Sequence, residues 1–130
     1  MTSGAGGRGR VRGIAGYELQ RLTDGWEMAL AGRDALDGPR ALESAQLEWI
    51  DTCVPSTVAA ALRGRGLWSL DGTPRRFDAE EWWYRTTFRA DPATGHEQLW
   101  LCFDGLATVA DAWLNGTALL SAAGMFTAHE

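Results

Sequence analysis

Trp83 and Arg85 stand two positions apart in the run Glu80–Phe88, which reads EEWWYRTTF. In a strand, positions two apart share a face. On one face, such a pair can do recognisable chemistry. An indole ring stacks on the apolar side of a pyranose, and a guanidinium donates hydrogen bonds to its hydroxyls. Trp83 and Arg85 are therefore candidate sugar contacts. The same pair also fits a plainer role, in which Trp83 covers a neighbouring domain or a sheet edge and Arg85 stacks on it.

Catalytic chemistry has weaker support. Glycoside hydrolysis normally takes two carboxylates flanking the scissile bond. Asp78, Glu80, Glu81, Asp104 and Asp111 are candidates by type. Glu80 and Glu81 are adjacent, so a strand points them apart, and Asp78–Glu81 reads as a solvated stretch. Asp104 and Asp111 read as corner and turn residues that accept local backbone hydrogen bonds. His96 and His129 are the only histidines, with no cysteine or third histidine at ligand spacing. No metal site, cofactor or catalytic residue is therefore assigned. Ser56 lies in Pro-Ser-Thr, outside any Gly-x-Ser-x-Gly elbow, and reads as a helix cap. Asn115-Gly116-Thr117 matches a glycosylation pattern but reads first as a hairpin turn.

The elements that must position these side chains are mostly strands. Trp26–Leu30 alternates. Leu47–Ile50 reads as a second strand leading to Val54-Pro55. Thr57–Arg65, capped by Ser56 or Thr57 and ended at Gly64 or Gly66, is the one helical segment. Leu67–Ala79 reads as a loop. In the strand Trp82–Arg89, the residues Trp82, Tyr84, Thr86 and Phe88 form a core-like face opposite Trp83, Arg85, Thr87 and Arg89. Gln98–Asp104 is apolar on both faces, as suits a strand inside a sandwich. Thr108–Leu114 and Thr117–Ser121 flank Asn115-Gly116, the dipeptide favoured where both turn residues take positive φ. Met1–Gly16 is rich in glycine and arginine and reads as a flexible tail.

The chain has 130 residues, 45% of them hydrophobic, with seven tryptophans and a net charge of −5. That length allows one domain, and the composition supports a packed core. The acidic balance points away from nucleic acid and anionic membranes. No stretch is long enough to span a membrane. The N-terminus lacks the apolar region of a secretory signal, so a cytoplasmic location is the expectation. Cys53 and Cys102 match no metal spacing. They read as two buried thiols, with a disulfide the lesser alternative.

Several stretches together carry a family resemblance. LTDGWEM (Leu22–Met28), VPSTV (Val54–Val58), Gly66-Leu67, EEWWYRTTF and LWLCFDGLATVADAWLNG (Leu99–Gly116) occur in that order. They resemble the N-terminal domain of β-mannosidase-like enzymes of glycoside hydrolase family two, with Ser56 where the family has glycine. The resemblance implies an all-β, jelly-roll β-sandwich of the galactose-binding-like type. Residues 1–16 would be the tail and residues 17–130 the sandwich domain, incomplete at its C-terminus. It also implies an intact enzyme that cleaves terminal β-linked mannose with two glutamates. Those glutamates lie in a downstream barrel, so this chain is expected to be inactive alone. Implied partners are an immunoglobulin-like domain, the barrel, and β-mannosides or other glycans. β-Galactosidases and β-glucuronidases share the fold, but the wording leans to the mannosidase branch. A stand-alone carbohydrate-binding or interaction module and a broken gene are the alternatives.

Overall fold

A computed structural model describes residues 18–124 and 126–129, so the expected tail, residues 1–16, lies outside the described residues. These residues divide into two compact units. One comprises residues 18–35 and 46–88, the other residues 36–45 and 89–129 without 125. The architecture is all-β with short helices. Each unit holds one antiparallel sheet. Among the described residues no helix is long and apolar enough to cross a membrane.

The first unit is built on β1 (Trp26–Ala31), flanked by β2 (Ile50–Thr52) and β3 (Glu81–Thr86) in the order β2-β1-β3. Because β1 is central, it is buried on both faces. Met28 and Ala29 are fully buried and Ala31 nearly so, whereas Leu30 is 41% exposed. Burying a methionine side chain stabilises a fold by about 1.5–3 kcal/mol. The expected core face of β3 is only half-buried: Trp82, Tyr84 and Thr86 are intermediate, as is Phe88 beyond the strand end. β3 is an edge strand, so its side chains lack a neighbour on one side.

Leu62 of α2 (Val58–Gly64) completes the buried set of this unit. Thr57 is the N-cap. Its φ of −101° and ψ of 156° are extended, and its hydroxyl accepts the Ala60 N–H at 3.1 Å. Ser56 instead directs its hydroxyl to the Thr57 carbonyl. The second strand lies later than expected, at Ile50–Thr52, because its register opposite Met28, Glu27 and Trp26 starts at Ile50. Phe77–Ala79, expected as loop, forms one 3₁₀ turn.

The second unit contains the hairpin of β4 (Val109–Leu114) and β5 (Thr117–Ala123). Asn115 and Gly116 have φ of 50° and 81°, as the two-residue loop requires. Ala122 is buried. α1 (Pro39–Leu42) is a short helix beyond the one helical segment expected from the sequence, Thr57–Arg65. Its signal was present, since Pro39 sits at the first helical positions after Gly38.

Two expectations fail, one in the stretch before the hairpin and one in the chain flanking each sheet. Gln98–Asp104 is not a strand. Only Phe103 pairs, in an isolated antiparallel bridge to His129, and no described residue shares a ladder with residues 98–102. Leu99 and Trp100 are each 65% exposed. Both-faced apolarity makes a strand only where neighbours are in place on each side. The cysteines are the second correction. Cys53 and Cys102 are free and exposed, because one follows the end of β2 and the other lies in this unladdered stretch.

Candidate functional site

Antiparallel pairing places Glu27 directly between Asp51 on β2 and Arg85 on β3. The next row is Thr52, Trp26 and Thr86. Together with Gly25 and Thr87 these residues line a depression of ≈ 480 Å³ where β1 begins and β2 and β3 end. Like charges directly opposite each other destabilise a sheet. Here each carboxylate has its own guanidinium. Arg85 Nε lies 2.8 Å from Glu27 Oε2, and Arg65 Nη2 lies 3.2 Å from Asp51 Oδ2.

Arg85 is held on a second side as well. Its Cζ lies 3.7 Å from the ring centroid of Trp49. Sequence reasoning missed this contact, because Trp49 precedes β2 and reaches Arg85 only through the fold. Among the described residues, only Nε of Arg85 makes a hydrogen bond, so its terminal N–H groups remain for a ligand. Thr86 is committed, since its hydroxyl donates to the Gly25 carbonyl at 2.9 Å. The Thr87 hydroxyl has no partner among the described residues and is exposed.

Of the two expected sugar contacts, Arg85 lines this depression and Trp83 does not. They share a face of β3, but Trp83 is half-buried and its indole N–H donates to Glu81 Oε1 at 2.8 Å. Arg85 stacks on Trp49, not on Trp83.

Of the carboxylates weighed for catalysis, Asp78, Glu80 and Glu81 are engaged structurally. Glu81 accepts the Trp83 indole and, through Oε2, the Asp34 backbone N–H at 3.1 Å. Glu80 accepts Arg75 at 2.7 Å and the Trp82 indole at 3.0 Å. Arg75 also lies 5.3 Å from the Phe77 ring centroid and 5.5 Å from that of Trp82. All four oxygens of Glu80 and Glu81 thus accept hydrogen bonds within the fold, two from indoles of β3 and two from residues outside that strand. The hydrogen bond from Arg76 holds the Asp78 carboxyl below the usual range. Asp104 and Asp111 are exposed. His96 is exposed, and His129 joins Phe103 through two backbone hydrogen bonds of 2.8 and 2.9 Å. No group of three metal-ligating side chains occurs among the described residues.

Comparison with known proteins covers both units. The family described as glycosyl hydrolase 2 galactose-binding domain-like matches residues 26–130. Among curated proteins, a β-mannosidase B of Aspergillus terreus is 32% identical over 126 residues, covering 90% of this chain. A β-mannosidase B of Emericella nidulans is 28% identical over 118 residues, covering 84% of it. A β-mannosidase B of Thermothelomyces thermophilus is 43% identical over 50 residues, covering 38%. The chain spans only 14%, 13% and 6% of those proteins. No solved structure matches.

Proposed function

We propose, since the chain belongs to the glycosyl hydrolase 2 galactose-binding domain-like family, that it serves as the non-catalytic N-terminal domain of a β-mannosidase-like glycoside hydrolase. The observation that carries this reading is the alignment of nearly the whole chain with about one-seventh of a β-mannosidase B. The structure supports the non-catalytic part. The two glutamates weighed as catalytic candidates, Glu80 and Glu81, spend their oxygens on neighbouring indole, guanidinium and backbone groups. Retaining hydrolysis needs two carboxyl groups about 5–5.5 Å apart and facing one substrate.

In this reading the domain packs against the remaining domains of the enzyme, an immunoglobulin-like domain and a catalytic barrel, and helps to present β-mannosides to the barrel. The β3 face carrying Trp83 and Arg85 is the part we assign to sugar contact. Arg85 supports the assignment with terminal N–H groups that no described residue uses. Trp83 supports it with a ring steadied by its hydrogen bond to Glu81.

The test is complementation. The Aspergillus terreus enzyme is prepared without its matched segment and mixed with this purified chain, and hydrolysis of a chromogenic β-mannoside is followed. The deletion should abolish turnover and the added chain should restore part of it. Full activity of the deleted enzyme without any addition would overturn the proposed role.

A further inference from the structure

Asn115 is the only asparagine in the chain, and it precedes Gly116 at the tip of the β4–β5 hairpin. The turn needs this dipeptide, since φ is 50° at Asn115 and 81° at Gly116. The same dipeptide also places two groups that can react with each other on consecutive residues. Asparagine is a chemically labile residue. Attack of the next residue's backbone nitrogen on its side-chain amide carbon closes a five-membered imide.

The surroundings of Asn115 favour that closure. Both residues are exposed, so water and hydroxide reach them. Neither the Asn115 side-chain amide nor the Gly116 N–H is held in a hydrogen bond among the described residues. Gly116 brings no side chain to crowd the ring, and a Cβ added there meets nothing within 4 Å. Ring closure swings the Gly116 nitrogen towards Asn115 Cγ and so disturbs the turn. The hairpin offers little resistance to this. β4 and β5 form a two-stranded sheet, and of their described residues only Ala122 is buried. A lone two-stranded hairpin is marginally stable, and segments with few buried contacts open most readily.

We propose that Asn115 is a site of spontaneous deamidation. The Gly116 nitrogen gives its proton to hydroxide and bonds to Asn115 Cγ. The Cγ–Nδ2 bond breaks, and the leaving nitrogen takes a proton from water and departs as ammonia. Water then opens the imide. Cleavage between the Gly116 nitrogen and Cγ leaves aspartate. Cleavage between that nitrogen and the Asn115 carbonyl carbon leaves isoaspartate, with the main chain routed through the side chain. Nothing is oxidised or reduced. Either product adds a negative charge to a chain of net charge −5. Isoaspartate also adds a backbone atom to a two-residue loop, which then no longer fits the pairing of Leu114 with Thr117. The hairpin is thus marked and loosened as the protein ages. None of this depends on the domain role proposed above.

The experiment ages the purified full chain in alkaline and in weakly acidic buffer and follows it by peptide mass mapping. Trypsin releases residues 90–130 as one peptide, because no arginine or lysine follows Arg89. That peptide should gain one dalton, faster in alkali, and its fragment ions should place the gain at residue 115. Four Asp-Gly pairs can pass through the same imide, but they lose and regain water and leave the mass unchanged. Asn115→Gln, which would have to close a larger ring, should lose the gain. The wild-type map identifies the residue by itself, so an Asn115→Gln chain that fails to fold leaves the test intact. The aged forms, separated by chromatography, should unfold at a lower temperature with isoaspartate at 115 than with aspartate. An unchanged mass for residues 90–130, or a gain placed only at Gln98, would overturn the site. Equal unfolding of the two forms would overturn the effect on the hairpin.

Discussion

Arg85 lays its guanidinium over the Trp49 ring, with Cζ 3.7 Å from the ring centroid, while its Nε bonds Glu27 at 2.8 Å. The contact ties the segment before β2 to the far edge strand β3, across the central strand. Both partners of the ion pair are more than one-third exposed, so the pair itself contributes only about 0.2–1 kcal/mol. Stacking on an aromatic ring at such a site adds about 0.5–1 kcal/mol.

Replacing Trp49 with alanine should therefore lower stability by roughly 1–2 kcal/mol, counting lost stacking and partial burial. Urea denaturation of Trp49→Ala, Arg85→Ala and the double variant would give the coupling energy. A coupling near zero would show that the stacking contributes nothing.

The hairpin turn makes a separate case. Gly116 has φ of 81°, and a Cβ added there meets nothing within 4 Å. The cost of Gly116→Val is thus backbone strain and not a clash, about 1–3 kcal/mol. Thermal unfolding would measure it. A valine variant as stable as wild type would mean the turn adopts another conformation.

Along β1, Met28 and Leu30 point the same way but differ in burial, 0% against 41% exposed. Met28→Ala should cost about 2–5 kcal/mol. Leu30→Ala should cost clearly less. Equal losses in chemical denaturation would contradict the placement of the core on the central strand.

Much of this was legible from local chemistry. The Asn115-Gly116 turn, the Thr57 cap and the alternation in Trp26–Leu30 and Trp82–Thr86 are set by residues within a few positions of each other. What could not be read depends on distant partners. Leu99–Phe103 has every local mark of a buried strand, yet only Phe103 finds a bridge partner, His129. The start of β2 is fixed by the pairing of Ile50 with Met28 and not by the pattern around Leu47. Trp49 meets Arg85 for the same reason, whereas the local pattern offers only Trp83, two positions away, as an aromatic partner for the arginine.

Burial raises the Tyr84 hydroxyl above its ordinary value. A folded value above the unfolded one means that stability is fully present below the unfolded pKa, about 10. It is lost as pH rises through the folded value. Alkaline difference absorbance of wild type and Tyr84→Phe should show one tyrosine ionising late, together with a loss of stability above about pH 10. A Tyr84 that titrates at the ordinary value would show that its ring is open to water.

The central proposal is that this chain serves a glycoside hydrolase without carrying out the chemistry. The most direct measurement is turnover of p-nitrophenyl β-D-mannopyranoside by the purified chain alone, beside Glu80→Gln and Glu81→Gln. The expected result is no release of nitrophenolate by any of the three. Turnover by the wild-type chain that disappears in either variant would contradict the account, and would make a catalytic residue of a glutamate assigned here to holding the fold.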